Sequence, residues 1–224
     1  MHDPKAPPTS GLAETLTGNR KSPEFGWLFA ITLAVVLAIV GYQNLIHPNL
    51  FPKRFGVVVP GEIYRSGKLT TAALAKVIGE HDIKTVIDLG AWVVDTPENR
   101  RASQREQETV EALGAQRFVF QLIGDATGDP NDYAEALRLM IDKNNWPLLV
   151  HCGAGTERTG CVVALYRMHT EGMSLKEAYA EAERAGHSEK RNPHLRKVLE
   201  TWSSPILESL QTGEPIPWSG EPKR

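Results

Sequence analysis

The apolar positions of this 224-residue chain are bunched, and the bunching lays out its organisation. Residues 1–24 carry Pro4, Pro7, Pro8, Gly11, Gly18 and Pro23 with little periodicity, the pattern of a flexible polar tail. Residues 25–46 then run without a formal charge. Their core, FGWLFAITLAVVLAIVGY, has Thr32 as its one polar interior residue. As a helix this run rises roughly 33 Å at about 1.5 Å per residue, enough for a hydrocarbon layer of about 30 Å. Trp27 and Tyr42 stand near its ends, where amphipathic rings favour the lipid–water interface. A buried core helix and a cleaved signal peptide are the competing readings. Arg20 and Lys21 suit a basic n-region, but the run is long for one and no clear A-x-A site follows. The pattern therefore predicts an uncleaved, single-pass transmembrane helix. The flanking basic residues are tied, Arg20 and Lys21 against Lys53 and Arg54; the nearer N-side pair leans the following domain to the extracytoplasmic side.

Past the anchor, residues 47–55 with Pro48 and Pro52 read as a juxtamembrane linker. Short apolar runs then alternate with amphipathic ones. Strands are predicted at 57–59, 63–66, 84–89, 118–122 and 147–151. Helices are predicted from Thr70 or Thr71 to His81 with Leu74, Val77 and Ile78 on one face, and over 97–113 between Pro97 and Gly114. Further helices are predicted at 131–144, 159–170, 174–185 and 192–203. Residues 205–224, with four prolines, read as an irregular C-terminal tail. Strands alternating with helices over residues 56–204 imply an α/β layered domain of a size that folds alone.

Composition adds exclusions. Charged residues at 23% and hydrophobic ones at 41% rule out wholesale disorder and a polytopic membrane protein. Lys plus Arg number 25 against 27 Asp plus Glu, so no charge bias draws the chain to nucleic acid. Two cysteines exclude a disulfide-stapled scaffold.

One of those cysteines sits in the most informative stretch, LLVHCGAGTERTG at 148–160. A strand ends on Cys152, small and polar residues follow, and Arg158 and Thr159 open a helix. A loop closing on a helix N-terminus aims backbone N–H groups inward as an anion nest, here built from Gly153, Ala154, Gly155, Thr156 and Glu157. Arg158 adds a planar fork for two phosphate oxygens, and the same positive field favours a thiolate on Cys152. The loop lacks the lysine of a nucleotide P-loop and the third glycine of a dinucleotide fingerprint.

HCGAGTERTG resembles the HCxxGxxR[ST] signature of cysteine-dependent protein tyrosine and dual-specificity phosphatases. GEIYRSGKL, KTVIDLG and FQLIGDATGDP extend the resemblance to the small atypical dual-specificity phosphatases of plants, fungi and bacteria, over about residues 56–200. It implies a central, mostly parallel sheet flanked by helices and hydrolysis through phosphocysteine. Cys152 would attack phosphorus, Arg158 would grip the phosphate, Thr159 would help the sulfur leave, and His151 would orient the loop. The general acid would be a carboxylate upstream, Asp125 in preference to Asp129, which precedes Pro130 and suits a helix cap. Cys161 reads as a small buried helix residue rather than a resolving thiol. Arg65 reads as a structural hydrogen-bonding residue, Asp88 as a structural carboxylate, and 98–111 as a solvated helix face. His169, His187 and His194 lack partners at metal-ligand spacing, so neither metal nor cofactor is expected.

The loop interior carries no lysine or arginine besides Arg158, and Glu157 would repel further phosphates. The expected substrate is therefore a phosphoprotein, with phosphotyrosine and optionally phosphoserine or phosphothreonine, over an inositol polyphosphate. A catalytically silent phosphate-binding module and a rhodanese-like sulfurtransferase are the alternatives from other classes.

Overall fold

The structure, a computed structural model, describes residues 24–220, which divide into two units between Tyr42 and Gln43. In the first unit, α1 (Glu24–Gly41) is apolar on every side. The helical run Gly26–Leu50 has a mean hydropathy of 2.0 with no residue of its most apolar window buried, so it is long and apolar enough to cross a membrane. Thr32 is satisfied within it, donating its hydroxyl to the Leu28 carbonyl at 2.9 Å. The α-helical geometry stops at Gly41, and Tyr42–Ile46 continue as π-helical turns.

The second unit, from Gln43 on, carries α2 (His47–Leu50) and is built on a five-stranded sheet. Its strands are β1 (Gly56–Val59), β2 (Ile63–Gly67), β3 (Thr85–Asp88), β4 (Gln116–Val119) and β5 (Leu148–Cys152), in the order β1-β2-β5-β3-β4. Only β1 and β2 are antiparallel, so the sheet is mixed but mostly parallel. The helices are α3 (Thr71–Glu80), α4 (Pro97–Ala112), α5 (Pro130–Ile141), α6 (Glu157–Glu171), α7 (Leu175–Arg184) and α8 (His194–Thr212). Thr70 caps α3, accepting from the Ala73 N–H, and Thr96 caps α4 ahead of Pro97.

β5 is the innermost strand and buried on both faces. Leu148, Val150 and Cys152 join the core beneath α5 to α8, whereas Leu149 joins the smaller one formed with α3 and α4. Period-two alternation therefore turns Cys152 and His151 to opposite faces. In register, Gly67 of β2 faces Cys152 and Asp88 of β3 faces His151, so the strands end together at one carboxyl edge. Such an edge is where α/β sheets bind ligands.

Three expectations shift. The fourth strand, expected over Phe118–Leu122, runs Gln116–Val119, because parallel pairing fixes Thr85 opposite Gln116 and Asp88 opposite Val119. Phe120–Leu122 leave the sheet for the site. Helix α6 starts at Glu157, two residues before the expected Thr159. The tail expected from residue 205 is helical through Thr212, with Pro205 inside α8. An interior proline costs roughly 3 kcal/mol. Apolar spacing nevertheless continues past it: Leu195, Val198, Leu199 and Ile206 lie on one buried face. Beyond Gly213 the chain turns back, and Asn131 holds the buried Ile216 at both its N–H (2.8 Å) and its carbonyl (3.0 Å).

Candidate active site

Cys152 ends β5 at 1% exposure, and the next four residues turn into α6. The carbonyls of this turn are pulled outward one by one. Gly153 O accepts from Lys53 Nζ at 3.1 Å and from the Lys68 N–H at 3.3 Å. Ala154 O accepts from Arg54 Nη1, and Gly155 O from the buried Arg65 Nη2, each at 2.9 Å. A planar trans peptide that turns its oxygen out turns the following N–H in, so the amides of Ala154, Gly155 and Thr156 face the cradle. The Gly155 N–H lies 3.2 Å from Cys152 Sγ. Gly155 has φ +79°, and a Cβ there would stand 2.5 Å from the Gly67 N; no other residue fits.

Arg158 completes the cradle. Its Nη1 donates to the carbonyls of Leu89 (2.9 Å), Gly90 and Leu122 (3.1 Å). Its Nε is buried without a partner, and its Nη2 lies against Gly153. One nitrogen thus anchors the guanidinium, and the edge Nε–Nη2 is left as a fork for two oxygens of a tetrahedral anion. A buried donor left unpaired costs about 1–3 kcal/mol, which a bound oxyanion would recover.

Burial opposes ionisation of the Cys152 thiol. Arg158, the Thr159 hydroxyl and amide and the Gly155 N–H outweigh it and hold the thiol below its ordinary value. On the opposite face of β5, His151 Nε2 stands 3.0 Å from Glu106 Oε1. Glu106 also accepts from Trp92 Nε1 at 2.8 Å and pairs with Arg117 at 3.0 Å, and Arg117 reaches Asp88 at 2.6 Å. Two buried carboxylates face two buried cations. Burial would discharge the imidazole, but Glu106 and then Asp88 hold His151 protonated well above its usual range. Asp88, Glu106 and His151 lie close enough to suit a metal, yet Arg117 pairs with both carboxylates and supplies the charge an ion would bring. The solvated-face reading of 98–111 is corrected at this point: Glu106 is 5% exposed and shares its buried stripe with Val110, one turn on. Only that i, i+4 spacing hinted at it.

This arrangement makes a pH prediction. With Glu106→Gln, His151 loses its nearest counter-charge and titrates lower, and Cys152 loses a neighbouring cation. The thiol then ionises at higher pH. The midpoint of iodoacetamide alkylation against pH, and the acid limb of kcat/KM, are expected to move upward; an unmoved midpoint disproves the coupling.

Other expected residues fall differently. Glu157 does not face the cradle: its carboxylate lies 2.7 Å from His187 Nδ1, and His187 Nε2 lies 2.8 Å from the Tyr179 hydroxyl. Its carboxylate is committed to His187 rather than turned into the loop. Cys161 is fully buried, and burial pushes its thiol up to about 12, as a structural residue requires. Asp125 follows Leu122, the residue Arg158 holds, and its carboxylate accepts from the Thr127 N–H (3.0 Å) and hydroxyl (2.6 Å). Burial acts against ionisation of Asp125, but the Thr127 bonds and His194 hold it below its ordinary value. Asp129 caps α5, accepting from the Asn131 N–H at 2.9 Å. Asp132, which the sequence did not single out, is raised by burial and by the charge of Asp129.

A strand-end cysteine with a thiol held below its ordinary value, an inward amide ring and an arginine fork together can accept a phosphoryl group. The tyrosine phosphatase family profile matches residues 49–215. The chain belongs to the tyrosine phosphatase family. Among relatives of this family member, the rice protein inositol diphosphatase DSP1 (Oryza sativa subsp. japonica) is 38% identical over 68 residues, 29% of this chain and 31% of that protein. Inositol diphosphatase DSP2 of Arabidopsis thaliana is 52% identical over 33 residues, covering 15% of this chain and 13% of its own. The matches thus span about a third or less of the curated relatives. In fold, the chain is similar to the core catalytic domain of the PP-IP phosphatase SIW14 from S. cerevisiae, with a TM-score of 0.59 at 20% identity over 75% of this chain and 98% of that one. Family membership sets the sulfurtransferase alternative aside.

Proposed function

We propose that the chain is a membrane-anchored phosphatase, tethered through residues 25–46, that hydrolyses phosphate esters through a phosphocysteine on Cys152. The observation that carries this reading is the Arg158 fork, pinned at Nη1 and unpartnered at its buried Nε beside a stabilised thiolate. Cys152 Sγ attacks phosphorus, the amides of Ala154, Gly155 and Thr156 and the Arg158 fork hold the equatorial oxygens, and the ester oxygen departs with a proton. Water then attacks the phosphocysteine, and the Thr159 hydroxyl stabilises the leaving sulfur. Protonated His151 supports the thiolate from behind the strand rather than transferring a proton. The assay is phosphate release from an aryl phosphate by the parent and by Cys152→Ser. Release that persists in the serine variant, or is absent from the parent, disproves the reading; absence would leave the silent binding module.

Asp125 is the acid we assign, because its loop leaves the site at Leu122 under the hold of Arg158. To serve, its carboxylate must turn from Thr127 to the leaving oxygen. Asp125→Asn is expected to lower kcat about 10²-fold on an alkyl ester and to flatten the alkaline limb of kcat, where the acid would lose its proton. Asn caps a helix as well as Asp, so Asp129→Asn is expected to retain both fold and limb. If the limb vanishes in the Asp129 variant instead, the assignment moves there.

On substrate, the phosphoprotein reading retains one support, a loop interior with a single cation. It loses the other, since Glu157 is turned to His187. The inositol polyphosphate reading is favoured by Lys53, Arg54 and Lys68 gathered at the loop rim, and the matched plant relatives are named for such compounds.

A further inference from the structure

Residues 47–55 read in the sequence as a linker between the apolar run and the domain. In the fold they are fixed at both ends and touch the phosphate loop in between. At the start, Asn49 Oδ1 accepts from the Thr70 hydroxyl at 2.5 Å. At the end, Phe55 stacks on Tyr64 and His81, with ring centroids 5.7 and 5.1 Å away. Between them, Lys53 Nζ donates to Gly153 O at 3.1 Å and Arg54 Nη1 to Ala154 O at 2.9 Å. The Lys53 carbonyl accepts in turn from the N–H of Gly67, the residue opposite Cys152 in the sheet, at 2.8 Å. We propose that Lys53 and Arg54 are positioning residues of the phosphate loop: from the linker, they hold the Ala154 and Gly155 amides turned into the cradle. Their role in turnover rests on the phosphatase reading; their effect on the thiol does not.

N–H dipoles that converge on one point repel one another, so the cradle keeps its shape between substrates only if its outward carbonyls are held. Gly155 O is held from within by the buried Arg65. Gly153 O and Ala154 O are held from the linker, and a charged donor grips a carbonyl roughly twice as strongly as a neutral one. Each bond sets one amide, because a planar trans peptide turns its N–H opposite its oxygen. Lys53 on Gly153 O sets the Ala154 N–H, with help from the Lys68 N–H on the same oxygen. Arg54 on Ala154 O sets the Gly155 N–H, which lies 3.2 Å from Cys152 Sγ and helps hold the thiol below its ordinary value.

The linker backbone is strained at the same spot. The Phe55 N–H closes a turn on the Pro52 carbonyl at 3.2 Å, and Arg54 within it has φ +47°. Glycine takes that conformation freely and arginine does not. Strain of this kind persists where the surroundings fix it, and it collects at working sites. Among the described residues, no carboxylate is paired with Lys53 or Arg54, so the loop carbonyls are the partners that hold them.

The test uses the full chain in detergent micelles and reads two quantities: kcat on phenyl phosphate and the midpoint of iodoacetamide alkylation of Cys152 against pH. Both are read at about 1 M salt, where screening acts over about 3 Å and an exposed charge matters only through what it touches. Arg54→Gly relieves the turn, so it is expected to keep the parent's melting temperature while releasing Ala154 O. Its alkylation midpoint is expected to move upward and its kcat to fall at least about tenfold, short of the roughly 10²–10³-fold cost of removing an oxyanion donor outright. Lys53→Met, which leaves the turn as it is, is expected to lower kcat in the same way. Arg54→Lys and Lys53→Arg keep a charged donor and should each recover most of the loss. An unmoved midpoint in Arg54→Gly, whatever happens to kcat, overturns the proposal; so does a loss confined to KM in both variants. Failure of the phosphatase reading looks different: the parent releases no phosphate, while the midpoint still moves in Arg54→Gly.

Discussion

Cys152→Ser is expected to release phosphate from an aryl ester about 10⁴-fold or more slowly than the parent, while still binding phosphate. The proposed nucleophile is a thiol that Arg158, Thr159 and Gly155 hold below its ordinary value against its burial. A serine hydroxyl in the same place stays protonated, and nothing in the site takes its proton: the nearest imidazole, His151, is already charged and faces the other side of the sheet. The amide ring and the arginine fork are untouched, and oxygen is smaller than sulfur, so the fold accommodates the change. Phosphate release and calorimetric binding of phenyl phosphate, measured on one preparation, check both halves. A variant that retains a hundredth of the parent rate would show that Cys152 does not carry the bond-making step.

Arg158→Lys is expected to lower kcat/KM about 10³-fold, equivalent to about 4 kcal/mol of transition-state stabilisation. Arginine does two things at once here. Nη1 secures the carbonyls of Leu89, Gly90 and Leu122, and the Nε–Nη2 edge is left for substrate. A lysine ammonium is a point donor that can satisfy the carbonyls or the phosphate but not both in the same geometry. The loss should therefore appear in KM as well as kcat. Release of Leu122 should also loosen the following turn, read as faster amide exchange over residues 123–129. A loss below tenfold would mean that the fork does not grip the transition state.

The parts of the site legible in the sequence are contiguous. Cys152 through Thr159 reads as a strand end, a turn and a helix start, because each step depends on neighbours a few residues away. The same holds for the cap at Thr70 and for the proline that opens α4. The bounds of β4 follow from pairing with β3, not from its own apolar residues, so its sequence does not show them. The end of α8 is not legible locally, because Pro205 is a strong local stop whereas burial of Ile206 is a long-range gain.

The residues that tune the chemistry were hidden for the same reason. Glu106 looked like one charge among many until β5 alternation turned His151 toward it. Lys53 and Arg54 lie a hundred positions from the carbonyls they hold. Glu157 looked like a guard of the phosphate site until the turn after α7 brought His187 to it.

The sequence alone determined the apolar N-terminal run, the α/β alternation, and the cysteine at a strand end six residues before an arginine that opens a helix, since all of these are written in local pattern and spacing. Tertiary structure decided which charges surround them: a buried quartet of two carboxylates and two cations behind the strand-end cysteine, and Lys53 and Arg54 on the outward carbonyls of the loop. Charge compensation depends on distance in space, which pairing and packing set and sequence separation does not.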